Sequence, residues 1–298
     1  FVSGKKKNLS HIKKQDVKII KIDISKSKNL DKYFKGAHYV FHLAALAQII
    51  PSIKNPKKYF KNNVIGTLKV VEAAKRAKIK KLVYSASSSC YGIPSIYPTP
   101  EDAKIDPIFP YALTKYLGES LIMHWSNVYK IPSVSLRFFN VYGPRSRTSG
   151  TYGAMFGVFL AQKLANKPYT IVGDGSQKRD FTFVTDIVDA IVCAAESEIN
   201  SKIYNVGSGS TVSVNKVVEL LGGDKIYIPK RPGEPDTTFA EIRSINNDLG
   251  WSPKVDIENG IDILLKNIDY WKKAPVWDPE SIEQETRDWF LYLGKNNK

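Results

Sequence analysis

Short apolar runs alternate with longer stretches of helical periodicity over the first 140 residues. Parallel strands are buried on both faces and read as continuous hydrophobic runs, so this alternation predicts a parallel sheet flanked by helices. Strands are expected at residues 17–24, 39–43, 81–85 and 133–138. Asn55-Pro56 supplies a polar cap and a proline at the first helical position, and Val64, Leu68 and Val71 carry a helix on to about Ala77. Another helix begins at Pro110, with Tyr111, Leu117, Leu121, Trp125 and Val128 at near-helical spacing. This half of the chain reads as doubly wound α/β.

The character changes after Gly143-Pro144, where residues 145–153 are rich in Ser, Thr, Gly and Arg and mark the departure to a second lobe. Residues 180–195 read as a strand end and a helix, and 202–206 as a further strand closed by Gly207-Ser208-Gly209. Both return to the first domain, which thus takes residues 1–148 plus 180–210. The remainder, 149–179 plus 211–298, forms a smaller lobe with helices expected at 213–221, 257–271 and 279–293. The last has Asp278 as its cap, Pro279 in its first turn, and Ile282, Trp289, Phe290 and Leu293 as one apolar face.

With 43% hydrophobic and 24% charged residues, the chain has enough apolar content to bury a core, which excludes general disorder. The longest apolar stretch, residues 39–50, is interrupted by His42 and Gln48 and falls short of the roughly 18 residues of a membrane span. Cys90 and Cys193 are too few for a disulfide framework or a cysteine-built metal site, and fit a reducing cytoplasm. The net charge of +15 comes mainly from scattered lysines without interleaved aromatics, which reads as solvated surface rather than a nucleic-acid face. Such a field still attracts an acidic small substrate.

Tyr111 and Lys115 stand four residues apart on an expected helix and therefore share a face. An ammonium beside a phenol favours the phenolate and makes a usable acid/base, although such a pair alone is common on solvated helix faces. Upstream, Ser85-Ala86-Ser87-Ser88-Ser89-Cys90-Tyr91-Gly92 follows an apolar strand and puts hydroxyls at the carboxyl edge of the sheet, where ligands of such sheets bind. His42 reads as a packed strand histidine, since no second metal-type residue accompanies it at ligand spacing.

Together, in this order and on these elements, these signals resemble the extended short-chain dehydrogenase/reductase family, the sugar-nucleotide epimerases and dehydratases. The resemblance continues through Val40-Phe41-His42-Leu43-Ala44-Ala45, Asn63-Val64-Ile65-Gly66-Thr67, and Leu136-Arg137-Phe138-Phe139-Asn140-Val141-Tyr142-Gly143-Pro144-Arg145. It extends to Gly173-Asp174-Gly175 with Arg179-Asp180-Phe181, to Arg231-Pro232-Gly233-Glu234, and to Leu249-Gly250-Trp251-Ser252-Pro253. It implies a Rossmann-type sheet that binds NAD, and a UDP-sugar substrate.

By resemblance, Tyr111, Lys115 and Ser87 are catalytic, and the cofactor is held by Asp23, Ile24, Leu43, Ala44, Ala45, Asn63, Ser85 and Phe138 together with Tyr111 and Lys115. Substrate binding falls to Ser87, Ser88, Asn140, Arg179, Arg231, Glu234 and Thr238, the arginines meeting the diphosphate and Glu234 the ribose. Thr238 corresponds to a size gate beside the sugar, and a small residue there admits an N-acetyl group. A homodimer through the helices beginning near Asn55 and Tyr111 is also implied.

The family's dehydratases resemble one another in an Asp-Glu pair after the active-site hydroxyl residue, where this chain has Ser88 and Ser89. Neither serine serves as a carboxylate acid or base, which favours 4-epimerisation through a transient 4-keto sugar over dehydration. A sugar-nucleotide dehydratase or an NAD(P)H-dependent reductase of the same family, or an inactive truncated binding protein, are the alternatives. The family's amino-terminal strand and Gly-rich phosphate loop have no counterpart here, and residues 1–9 resemble the segment after its second strand. The expectation is a chain lacking its first strand and phosphate loop.

Overall fold

The structure, a computed structural model, describes residues 4–13, 15–146 and 155–294. Four parallel strands form the main sheet in the order Tyr39–His42, Lys81–Ser87, Ser133–Phe138, Lys202–Val206. The two inner strands are buried on both faces, the polar Ser133, Ser135 and Arg137 included. Helices Gly66–Ala77 and Pro110–Tyr129 cover one face, packing Val71, Ala74 and Ile122 on Leu82 and Tyr84. Helix Val184–Glu196 covers the other, with Ile187, Ala190 and Ala194 against Val83, Val134 and Leu136. A three-layer α/β sandwich results.

The strand expected at residues 17–24 does not form: the segment makes no ladder, and Ile19, Ile20 and Ile22 are exposed. Its β-branched residues suit a pleated surface, but a strand exists only through a neighbour, and among the described residues none lies beside it. The end of this segment packs elsewhere, with the Ile24 side chain against Gly66. Among the described residues Tyr39–His42 pairs on one side alone, and Tyr39 and Phe41 are exposed.

The helical path starting after Asn55, whose side chain accepts from the Lys58 N–H at 3.1 Å, is not uniform. It widens to π geometry over Phe60–Ile65 before resuming as Gly66–Ala77. A helix at Ile49–Lys54, unmarked by periodicity, precedes it.

A second core gathers around short strands. Tyr169–Val172 pairs in parallel with Lys225–Ile228, Asn140–Tyr142 with Phe181–Phe183, and Lys178–Arg179 runs antiparallel to Val212–Ser213. Tyr142, Phe156, Phe181 and Phe183 interlock there, the Tyr142 and Phe156 rings 4.8 Å apart, beside Val217, Ile261, Leu264 and Trp271. The boundary expected at 148/149 lies outside the described residues. The helix expected over 257–271 runs only over Ile257–Lys266, and a separate turn at Ile268–Trp271 buries Trp271.

Helix Pro279–Leu293 starts as its capping residues dictate, with Asp278 accepting from the Ser281 N–H at 2.8 Å. Its inward face is Ile282 and Trp289. Phe290 is exposed instead, because one residue along a helix rotates a side chain by about 100° from its neighbour. Trp289 packs on Phe109, ring centroids 5.8 Å apart, and its indole N–H donates to Pro232 O at 2.7 Å.

Candidate active site

The parallel strands deliver their carboxyl ends to a cleft of about 350 Å³. Ser87 and Ser88 enter it where the Lys81–Ser87 strand turns over, and Tyr111 from the first turn of the Pro110–Tyr129 helix. Phe138 and Asn140 come from the next strand and its continuation, and Arg179, Arg231, Glu234 and Thr238 from the second lobe. Nine expected site residues, scattered over 152 positions of sequence, thus line one cavity.

Lys115 lies one turn beyond Tyr111 and is buried, its ammonium donating to the Ser85 carbonyl and standing 4.5 Å from the Tyr84 ring centre. Burial pushes its pKa down to about 7, against the pull of Glu119, which raises it. His42, from the edge strand, is buried and hydrogen-bonded to Thr67 Oγ1 at 2.8 Å; burial, and secondarily the Lys115 charge, push it down to about 3. A neutral packed imidazole is the result. The Ser87 hydroxyl lies 2.8 Å from that of Ser89 and also accepts from the Ser89 N–H at 3.3 Å.

Asn63 does not reach the cleft. The π-helical turn brings its amide between Leu46, where it accepts from N–H at 2.8 Å and donates to O at 3.0 Å, and Thr114 Oγ1 at 3.0 Å. Thr114 in turn donates to Tyr111 O at 2.9 Å. Asn63 thereby ties the segment after the Tyr39–His42 strand to the helix of Tyr111. Asp23 caps its own turn, accepting from the Ser25 N–H at 2.9 Å and hydroxyl at 2.7 Å, and the Ser25 hydroxyl bond lowers its pKa. Leu43 and Ala44 are exposed at the sheet's carboxyl edge, with Ala45 partly covered.

The two arginines are buried. Arg179 gives one terminal nitrogen to Glu234 Oε1 at 2.9 Å and the other to Lys178 O at 2.9 Å and Asp236 O at 3.3 Å. Arg231 stands 3.8 Å from Glu234 Oε2, and that buried oxygen has no hydrogen-bond partner among the described residues. A hydroxyl donor on a ligand satisfies such an orphan acceptor, so the Glu234 carboxylate fits a ribose. Lys115, Ser85 O and the uncovered ledge at Leu43 and Ala44 suit a nicotinamide riboside, whereas no described segment supplies a glycine-rich turn for the pyrophosphate.

Sequence reasoning missed Asp180 as a hub. It is fully buried and accepts from the Ser208 N–H and hydroxyl at 2.5 and 2.8 Å and from the Ala240 N–H at 3.1 Å. Burial pushes its carboxyl pKa upward, partly offset by these donors. Gly207 is obligatory beside it, because a Cβ there would stand 2.6 Å from Asp180 Oδ2 and 2.4 Å from Ala240 Cβ. The Arg179-Asp180-Phe181 motif named the residue but carried no sign of these partners. Ala47 and Ile49 also line the cleft, and hydropathy alone does not distinguish them from core.

Comparison with known proteins agrees with this geometry. Residues 2–207 match the model of the NAD dependent epimerase/dehydratase family. A putative UDP-glucose 4-epimerase of Methanocaldococcus jannaschii is 32% identical, covering 92% of this chain and 88% of its own length. A UDP-glucuronate 4-epimerase of Thermodesulfobacterium geofontis is 33% identical, with 92% and 84% covered. Among solved structures, the UDP-N-acetylglucosamine 4-epimerase of Methanobrevibacter ruminantium, in complex with UDP-N-acetylmuramic acid, superposes with a TM-score of 0.83 at 33% identity over 90% of this chain and 87% of the other. The UDP-glucuronic acid 4-epimerase of Bacillus cereus, in complex with UDP-glucuronic acid and NAD, gives 0.78 at 33% identity over 84% and 81%. Family match, shared fold and common length lead to one conclusion: this chain belongs to the NAD-dependent epimerase/dehydratase family.

Proposed function

We propose that the chain is a UDP-sugar 4-epimerase in which Tyr111, Lys115 and Ser87 handle the proton and Arg179, Arg231 and Glu234 hold the nucleotide. The observation that carries this reading is the buried Lys115 one turn beyond Tyr111, which itself lines a cleft shared with Ser87 and two buried arginines. Relatives of matching length are described as 4-epimerases of UDP-glucose, UDP-glucuronate and UDP-N-acetylglucosamine. When bound, NAD supplies a hydride acceptor and donor for C4 of the sugar. Tyr111 takes the proton of the 4-hydroxyl, with Ser87 as hydrogen-bond partner, and returns it after the 4-keto sugar has presented its other face. Lys115 favours the phenolate by its charge. Arg179 and Arg231 hold the diphosphate by forked donors while the sugar turns.

Ser88 and Ser89 offer no carboxylate to expel water from the sugar, which favours epimerisation over dehydration. Thr238 leaves room beside the sugar, so the reading includes UDP-N-acetylglucosamine beside UDP-glucose; Thr238→Tyr should abolish turnover of N-acetyl sugars selectively. Residues 1–148 plus 180–210 are assigned to the cofactor domain and the rest to the sugar-nucleotide lobe, although Tyr142, Phe181 and Phe183 pack into the second core and Ile245 and Trp251 into the core of the main sheet. A homodimer is part of the reading, supported by exposed Phe60, Leu113, Val128 and Tyr129 on the helices concerned. No helix among the described residues is long and apolar enough to cross a membrane, and two free cysteines suit a cytoplasmic placement.

The test is incubation of the full chain with NAD and UDP-galactose or UDP-N-acetylgalactosamine, followed by NMR of the anomeric protons. The 4-epimer without net change of NAD is the expected product. Net reduction of NAD, or a 4-keto-6-deoxy product, would overturn the reading.

A further inference from the structure

Behind the cleft lies a buried ion pair that the chemistry above does not use. Arg137, 3% exposed, sits on the Ser133–Phe138 strand; Glu119, 2% exposed, sits one turn beyond Lys115. The contact is a fork: Arg137 Nε lies 3.0 Å from Glu119 Oε2 and NH2 lies 2.6 Å from Oε1. The other terminal nitrogen, NH1, donates to the Tyr91 hydroxyl at 2.7 Å and to Glu101 O at 2.8 Å. Ser135 Oγ donates to Glu119 Oε2 at 3.0 Å, and the Tyr91 hydroxyl donates to Asn205 Oδ1 at 2.7 Å. None of Arg137, Glu119 and Tyr91 lines the cleft.

A buried pair of this kind is a poor device for stability, since well-packed apolar residues of similar volume are often as good or better. Its distinguishing property is direction, because a bidentate guanidinium fixes both distance and angle of what it holds. Tyr111, Lys115 and Glu119 recur every four residues and share one helix face. Tyr91 ends the turn that begins at Ser87 and Ser88. Arg137 therefore grips, through one planar group, the helix that carries the phenol and ammonium and the turn that carries the serine hydroxyls.

We propose that Glu119 and Arg137 are positioning residues that hold Tyr111 and Lys115 in register with Ser87. The inference rests on the reading that Tyr111 and Lys115 perform the proton chemistry. The groups about Lys115 are Glu119 on its own helix, Tyr84 on the Lys81–Ser87 strand and His42 on the edge strand, with Tyr111 one turn back on the same helix. A helix released from Arg137 shifts Lys115 against all of them. A misplacement of about 1 Å costs on the order of 100-fold in rate.

The test is the double variant Glu119→Leu with Arg137→Met, which removes both members of the ion pair together, compared with the native chain and Tyr111→Phe. Expected are a melting temperature close to native, a KM for UDP-sugar within about threefold, because the cleft arginines are untouched, and kcat lower by on the order of 100-fold. The ultraviolet titration of the phenol that is missing in Tyr111→Phe should move upward by about one pH unit or more. This second readout needs no turnover, so it judges the positioning even if the chain proves not to be an epimerase. Native kcat together with a native phenol titration would overturn the proposal. If the double variant does not fold, Tyr91→Phe decides: it keeps the ion pair, removes one Arg137 contact, and should lower kcat about tenfold at unchanged KM. A Tyr91→Phe variant with native kcat and titration would equally overturn it.

Discussion

The Thr238 hydroxyl donates to Asn140 Oδ1 at 2.7 Å while accepting from the Asp180 N–H at 3.2 Å. The single hydroxyl hydrogen is spent on the amide oxygen, so the amide NH2 of Asn140 is the end left to serve the cleft. The residue proposed to act by size thus also orients the Asn140 amide. Thr238→Val preserves shape and removes this bond. It should raise KM about tenfold, the equivalent of ~1.4 kcal/mol, whereas Thr238→Ser should stay near native. Steady-state kinetics on both variants checks this; equal KM values would leave Thr238 a size element alone.

Tyr111→Phe removes the proposed acid/base and leaves the arginines in place. Turnover should fall by about 10²- to 10⁴-fold, the range of a lost general base, with UDP affinity near native. Calorimetric binding of UDP beside the kinetic assay separates the two effects. A variant that turns over normally would remove Tyr111 from the chemistry.

Lys115 links the proposed chemistry to stability. Its pKa is pushed from 10.5 to about 7 by burial, so between those values the unfolded chain binds more protons than the folded one. Stability attributable to this residue therefore rises with pH across that window and is least below about pH 7. Lys115→Met should be inactive, and the native chain should gain melting temperature relative to it between about pH 7 and about pH 9.5. A constant difference across those values would mean that the buried amine keeps its ordinary affinity for protons.

Arg179→Lys keeps a positive charge but not the fork that holds Glu234, Lys178 O and Asp236 O together. UDP should bind about tenfold more weakly, the equivalent of ~1.4 kcal/mol, with kcat at saturation within about twofold of native. Unchanged affinity by calorimetry would place the diphosphate elsewhere.

What was legible along the chain is what local pattern records. The runs at 81–85 and 133–138 carry Leu82, Val83 and Tyr84, and Val134, Leu136 and Phe138, whichever neighbour they have, and both are inner strands. Asn55-Pro56 and Asp278-Pro279 start helices by chemistry confined to a few residues. The segment at 17–24 has comparable β-branched content but its state depends on a partner, which no local pattern encodes. The motifs named Asn140, Arg179, Arg231 and Glu234 and left their mutual contacts hidden. Thr238 and Asn140 meet across 98 residues, and Tyr91 and Asn205 across 114. Asn63 shows the limit from the other side: its motif was plain, yet the π-turn commits its amide to Leu46 and Thr114 rather than to the cleft.

Trp289 touches both ends of the proposed chemistry. Its ring rests on Phe109, two residues before Tyr111, and its N–H holds the carbonyl of Pro232, the residue after Arg231. The spacing between the diphosphate anchor and the phenol is therefore gauged by the width of one indole.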